Sequence, residues 1–152
     1  MTRRIGLAAA MVACLLVGGA AAAQRPKPVI EVYKSPTCGC CANWVKHLQQ
    51  NGFDAKVTDV EDMAALKTKL KVPGRMQSCH TGMVNGYVVE GHVPAADLQR
   101  LLKERPAGIR ALAVPGMPIG SPGMEVGSTV QRYDVLSLDQ QGSSKVFASY
   151  GR

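Results

Sequence analysis

Aromatic residues are scarce in this chain, with two Phe, one Trp and four Tyr among 152 residues, and acidic residues are few, 11 Asp and Glu against 18 Lys and Arg. The first shortage argues against a binder of single-stranded nucleic acid, which needs stacking platforms between its basic side chains. The basic surplus runs along Lys67, Lys69, Lys71, Arg75, Lys103, Arg105 and Arg110 without such interleaving, and it reads as a solvated basic surface. Internal repeats and low-complexity tracts are missing. So is any apolar run of the about 20 residues that a membrane helix needs, and a stable membrane anchor is therefore not expected.

The apolar run that does exist, Ile5 to Val17, is short, is interrupted at Gly6, follows Arg3 and Arg4, and leads to Ala21-Ala22-Ala23 before Gln24. A basic start, a short apolar stretch and small residues make a cleavable export signal. Residues 1–23 are read as that signal and 24–152 as a single domain, long enough for one core and too short for two ordinary ones. Cleavage takes Arg3 and Arg4 away, lowering the formal net charge from +7 to +5. It also removes Cys14, whose upstream Met11-Val12-Ala13 is a poor approach for a lipoprotein signal.

Four of the five cysteines then remain: Cys38, Cys40, Cys41 and Cys79. Three of them fall within Ser35-Pro36-Thr37-Cys38-Gly39-Cys40-Cys41, and the fourth stands in Cys79-His80. An even number in an oxidising compartment ordinarily suggests two disulfides. A crosslink between near neighbours constrains the unfolded chain little, and adjacent helical residues point about 100° apart, so two static bridges are awkward here. Crowding of this kind suits soft-metal or redox chemistry.

The chain around the cluster reads as alternating strand and helix. Val29 to Tyr33 is a β-branched run ended by Lys34-Ser35-Pro36, a buried strand leading into a loop. Thr37 is a candidate N-cap, and Cys41, Trp44, Val45 and Leu48 form a core-facing helical stripe closed by Asn51-Gly52. Phe53 to Val60 reads as a second strand, and Asp62 to Leu70 as a second helix with Met63, Leu66 and Leu70 inward. Asn85-Gly86 between Met83-Val84 and Tyr87-Val88-Val89 predicts a hairpin. Pro94 opens a helix over Ala95 to Lys103, and Val114 to Met124 is a Gly/Pro/Met loop unable to form a helix or central strand. Val130 to Leu138 and Lys145 to Tyr150 read as a terminal hairpin. The expected fold is α/β, a thioredoxin-like βαβα-ββα domain with that loop and a C-terminal β-hairpin.

The cysteine cluster thus falls at a helix N-terminus, where the dipole and free N–H groups favour a thiolate and lower its pKa below the free value of about 8.5. Cys38 and Cys41 have the Cys-x-x-Cys spacing of thiol–disulfide exchange, with Cys38 as nucleophile and Cys41 as resolving thiol. A third thiol at Cys40 would attack the mixed disulfide and scramble that chemistry. Extra thiolates are useful to a metal instead. Zinc sites of this kind usually show two Cys-x2-Cys knuckles, and the single Cys79-His80 fits that poorly, whereas soft thiolates with an imidazole suit Cu(I). The expected ligands are Cys38, Cys40, Cys41, Cys79 and His80. His47, on the helix after the cluster, either reaches the site edge or lies on a solvated face; His92 either ligates or braces a turn; Met117 and Met124 are thioethers that either ligate or fill gaps, as do Met76 and Met83.

Lys34-Ser35-Pro36-Thr37-Cys38-Gly39-Cys40-Cys41, Cys79-His80-Thr81, Val89-Glu90-Gly91-His92-Val93-Pro94 and Pro115-Gly116-Met117-Pro118-Ile119-Gly120-Ser121-Pro122-Gly123-Met124 together resemble the exported DUF411 metal-binding family, which includes the CopG-type copper-resistance proteins. The resemblance runs from about Val29 to Val126 and leaves the terminal hairpin outside. It implies a thioredoxin-like fold and copper binding by the cysteine cluster. Glutaredoxin-like chains carry a cis-proline before the hairpin strand; here Ser78-Cys79-His80-Thr81 takes that place, which would set Cys79 and His80 against Cys38 to Cys41. The expectation is an exported, periplasmic copper protein that sequesters or relays Cu(I), with copper ions and another periplasmic copper protein as partners. A thiol–disulfide or copper oxidoreductase using Cys38 and Cys41 is the alternative.

Overall fold

The computed structural model describes residues 26–151; the expected export signal and Cys14 lie outside them. The elements follow in the order β1 (Val29–Lys34), α1 (Gly39–Gln50), β2 (Asp54–Asp59), α2 (Met63–Lys69), a short 3-10 turn (Gly74–Met76), β3 (His80–Val84), β4 (Tyr87–Glu90), α3 (Ala95–Glu104), β5 (Ala111–Ala113), β6 (Tyr133–Leu138) and β7 (Ser144–Tyr150). The chain is thus a mixed α/β domain, and its βαβα-ββα opening is the order expected from periodicity.

All seven strands join one sheet in the order β2-β1-β3-β4-β5-β6-β7. β1 and β2 run parallel through the α1 crossover, and β3 returns antiparallel beside β1. β3 and β4 form the hairpin promised by Asn85-Gly86, both of which have positive φ, 48° and 83°, as a tight two-residue turn matched to strand twist requires.

Alternation along the strands divides the core between two faces. Val89 and Leu112 point to the face covered by Trp44, Val45 and Leu48 of α1 and Leu98 and Leu101 of α3. Val88, Ala111 and Ala113 point to the other, where Val72 and Met76 follow α2.

Several details depart from the sequence reading. Cys38, not Thr37, is the N-cap of α1, and the helix starts at Gly39. Strand β5 lies where no element was expected; three small or aliphatic residues after a left-handed Arg105 and a positive-φ Gly108 carry too short a pattern to stand out. It pairs parallel with β4 and antiparallel with β6, so the terminal hairpin is part of the main sheet and not an appendage. β6 begins at Tyr133 and not at Val130. Lys67, read as surface charge, is only 4% exposed, whereas Met63, Leu66 and Leu70 of the same helix are only partly buried.

Candidate metal centre

Strand β1 ends at Lys34, and a turn in which Cys38 N–H donates to Ser35 O at 3.1 Å delivers Cys38 to the start of α1. Trp44, Val45 and Leu48 are buried beneath the helix, so packing of that stripe fixes the rotation of α1 and leaves Cys38 and Cys40 half-buried at its open end, with Cys41 buried. Cys38 and Cys41 form a disulfide, while Cys40 and Cys79 are free. The pairing uses one turn of helix, with Cα atoms 5.4 Å apart, and leaves the second bridge unmade.

Cys79 stands immediately before β3 and lies opposite. Its Sγ is 3.9 Å from Cys40 Sγ, 3.3 Å from His80 Nδ1 and 3.2 Å from His92 Nε2, while Cys40 Sγ is 3.5 Å from Cys38 Sγ. Two donor groups result: Cys38, Cys40, Cys41 and Cys79 in one, and Cys79, His80 and His92 in the other, each with its ligand atoms within 4.8 Å of one another. Cys79 belongs to both.

The imidazoles are oriented by the protein. Pro122 O can only accept, so at 2.8 Å His92 must donate to it through Nδ1–H; burial lowers the pKa of His92 and keeps it neutral, which leaves the Nε2 lone pair facing Cys79. His80 is fully buried, its ring 4.2 Å from that of Trp44 and 4.9 Å from that of His92. Burial, then His92 and Lys67, hold its pKa well below the ordinary histidine value. Its Nε2 is buried with no hydrogen-bond partner, an arrangement that calls for an explanation in a packed interior. Burial, reinforced by neighbouring Cys40, pushes the Cys79 thiol up to about 11. For Cys79, His80 and His92 burial thus favours the neutral form.

Two glycines allow this assembly. Gly91 has φ +71°, and a Cβ there would come within 2.5 Å of both Ser78 Cβ and Val114 O. Gly123, at φ +87°, passes over the first turn of α1, where a Cβ would stand 2.8 Å from Cys40 O and 2.7 Å from Trp44 N.

The other candidates occupy distinct places. His47 Nε2 accepts from Ala95 N–H at 3.1 Å and so ties α1 to the start of α3. Met117 is 52% exposed, on a loop whose Gly116 accepts from Ser78 Oγ at 2.5 Å; Met124 is half-buried beside Gly123. Met76 is a core residue on the α2 face.

One feature was not legible from motifs. Lys67 and Glu90, both buried, form an ion pair at 2.5 Å, and Glu90 Oε1 also accepts from Ser78 N–H at 2.7 Å. A lysine on a helix and a glutamate beside Gly91-His92 give no sequence signal that they meet.

Two solved structures similar to the chain, titled "Copper resistance protein copG", Form 2 and Form 1, are each 46% identical to it with a TM-score of 0.79. They match 82% and 83% of this chain and 99% of their own length. The chain belongs to the DUF411 family of CopG-type copper-resistance proteins. Residues 76–124 match the family described as "Protein of unknown function, DUF411", the stretch from the turn before Cys79 to the loop that seats His92. No curated protein matches the chain. A copper-related function follows from the CopG relatives together with the cysteine cluster.

Proposed function

We propose that the chain is an exported, periplasmic protein that takes up Cu(I) as cargo and sequesters or relays it, with Cys38, Cys40, Cys41 and Cys79 as thiolate ligands and His80 and His92 as imidazole ligands. The observation that carries this reading is Cys79, whose sulfur lies 3.9 Å from Cys40 Sγ and 3.2–3.3 Å from one nitrogen of each buried histidine. Thiolates and neutral imidazoles without a carboxylate in either group are soft donors that prefer Cu(I). Engaging all four sulfurs requires the Cys38–Cys41 bond to be opened by two electrons and two protons from an external reductant. Sharing of Cys79 between the groups supports more than one ion. Residues 1–23 serve as the cleaved signal and 24–152 as the domain, whose strand order β2-β1-β3-β4 with α1 between parallel β1 and β2 supports a thioredoxin-like description. His47 stands outside both donor groups, and the thioethers of Met117 and Met124 on the loop are suited to passing copper in or out.

Anaerobic titration of the reduced mature chain with Cu(I), with metal analysis and thiol counting on the same sample, tests the reading. One or more ions per chain with four protected thiols is expected. In the Cys38→Ser/Cys41→Ser variant, binding should be lost without unfolding; full retention of copper would sink the proposal.

The disulfide between Cys38 and Cys41 at a helix N-terminus favours a second reading, a thiol–disulfide or copper oxidoreductase. Here the Cys38 thiolate attacks a substrate disulfide, one substrate sulfur leaves as a thiolate, and Cys41 resolves the mixed disulfide. Turnover surviving Cys79→Ser supports that reading; no turnover of any disulfide counts against it.

A further inference from the structure

We infer that Lys67 and Glu90, on the far side of the sheet from the cysteine cluster, are positioning residues for the Cys79–His80 half of the site, an inference that rests on the copper reading above. Successive residues of β3 alternate between faces. His80 points to the face covered by α1, against Trp44, and Thr81 to the face covered by α2, where Lys67 Nζ donates to its hydroxyl at 2.9 Å. Glu90 stands directly opposite Thr81 on β4. Its Oε1 accepts from Lys67 Nζ at 2.5 Å and from Ser78 N–H at 2.7 Å, and its Oε2 from Thr81 Oγ at 2.6 Å.

One carboxylate therefore grips the chain at residues 78 and 81, on either side of Cys79 and His80. Two further contacts tighten the same stretch: Ser78 packs onto Gly91, where no Cβ fits, and Gly91 N–H donates to His80 O at 3.1 Å. With both ends held, the Cys79 sulfur and the His80 ring have little freedom to follow an ion, and the ion must accept the geometry presented.

Stability alone does not call for charges at this place. Side-chain exposures of 5% for Lys67 and 1% for Glu90 mean both ions are desolvated, and apolar residues of similar volume often serve stability as well or better. What an apolar residue cannot do is accept from Ser78 N–H. The arrangement has the form of the supporting shell behind metal ligands, whose loss typically lowers metal affinity about 10–100-fold.

The test is the full mature chain carrying Lys67→Met, Thr81→Val and Glu90→Met together, which removes the charges while keeping volume. It is compared with wild type by thermal unfolding of the metal-free form, by Cu(I) affinity in competition with a chromophoric chelator, and by the sulfur-to-copper absorption bands. A folded variant with affinity reduced about 10–100-fold and shifted bands is expected, as is recovery of wild-type affinity and bands in Lys67→Arg, which keeps the cation. A folded variant with unchanged affinity and bands overturns the inference. Should the variant not fold, hydrogen exchange on the metal-free wild type decides: slow exchange of the Ser78 amide upholds the grip, and rapid exchange there overturns it. Failure of the wild type to bind Cu(I) at all would instead defeat the copper reading, so the two failures are distinguishable.

Discussion

Cys38, Cys40 and Cys41 reach the site from one turn of a helix, whereas Cys79, His80 and His92 reach it from the start of β3 and the turn after β4, held by Lys67, Glu90, Gly91 and Pro122. The first group leans on few contacts beyond its own turn, chiefly the close passage of Gly123. Its N-cap makes no side-chain hydrogen bond, and Gly39 has nothing within 4 Å of where a Cβ would stand. The second group is fixed on every side, with two histidines fully buried. One half, which carries the disulfide, thus rests mainly on contacts of its own turn, against a half braced by contacts from distant segments.

This contrast predicts unequal responses to substitution. The largest belongs to Cys79→Ser, because that sulfur is common to both donor groups: Cu(I) affinity should fall by at least about 100-fold, and Cys40→Ser should cost less. Chelator competition measures both, and equal losses would make the two halves equivalent. Next comes stability. Gly91→Ala forces a side chain into Ser78 and Val114 O at positive φ and should destabilise the fold by about 2–4 kcal/mol, whereas Gly39→Ala, in open space on the helix, should change it by less than about 1 kcal/mol. Urea unfolding of the two variants side by side checks the pair, and similar midpoints would refute the asymmetry.

A smaller effect is expected from pH. Burial lowers the pKa of His47 below its ordinary value of about 6.5, so the unfolded chain binds the proton more readily. Stability of the metal-free protein should then fall as pH drops below that value, and His47→Gln should soften the fall only slightly, because buried His80 and His92 shift in the same direction. Thermal unfolding between pH 7 and 5 reads this, and a flat wild-type profile would contradict it.

The same contrast explains how far the sequence could be read. The helical half was legible because its signals are local: a β-branched run, Pro36, a crowded cysteine turn and the Trp44-Val45-Leu48 stripe all fall within twenty residues. The hairpin was legible from Asn85-Gly86, and the placement of Cys79 and His80 against the cluster came from the likeness to glutaredoxin-like chains, where a cis-proline takes that place. What escaped were pairings between residues far apart in the chain. Lys67 meets Glu90 over 23 residues and His92 meets Pro122 over 30, and nothing in their neighbours marks either pair. Residues Ala111–Ala113 were missed for a related reason, since three residues carry no period and owe their strand conformation to partners on both sides.

Pro122 holds His92, and Gly123 lies against Cys40 and Trp44, so the loop that closes the pocket touches both halves at once and then continues on the outside of the molecule through Val126 and Val130, each more than half exposed. An ion that drew Cys40 and His92 together would tighten this strap, and its departure would slacken it. The stretch 114–132 is therefore where the interior of the pocket and the outer surface share one piece of backbone.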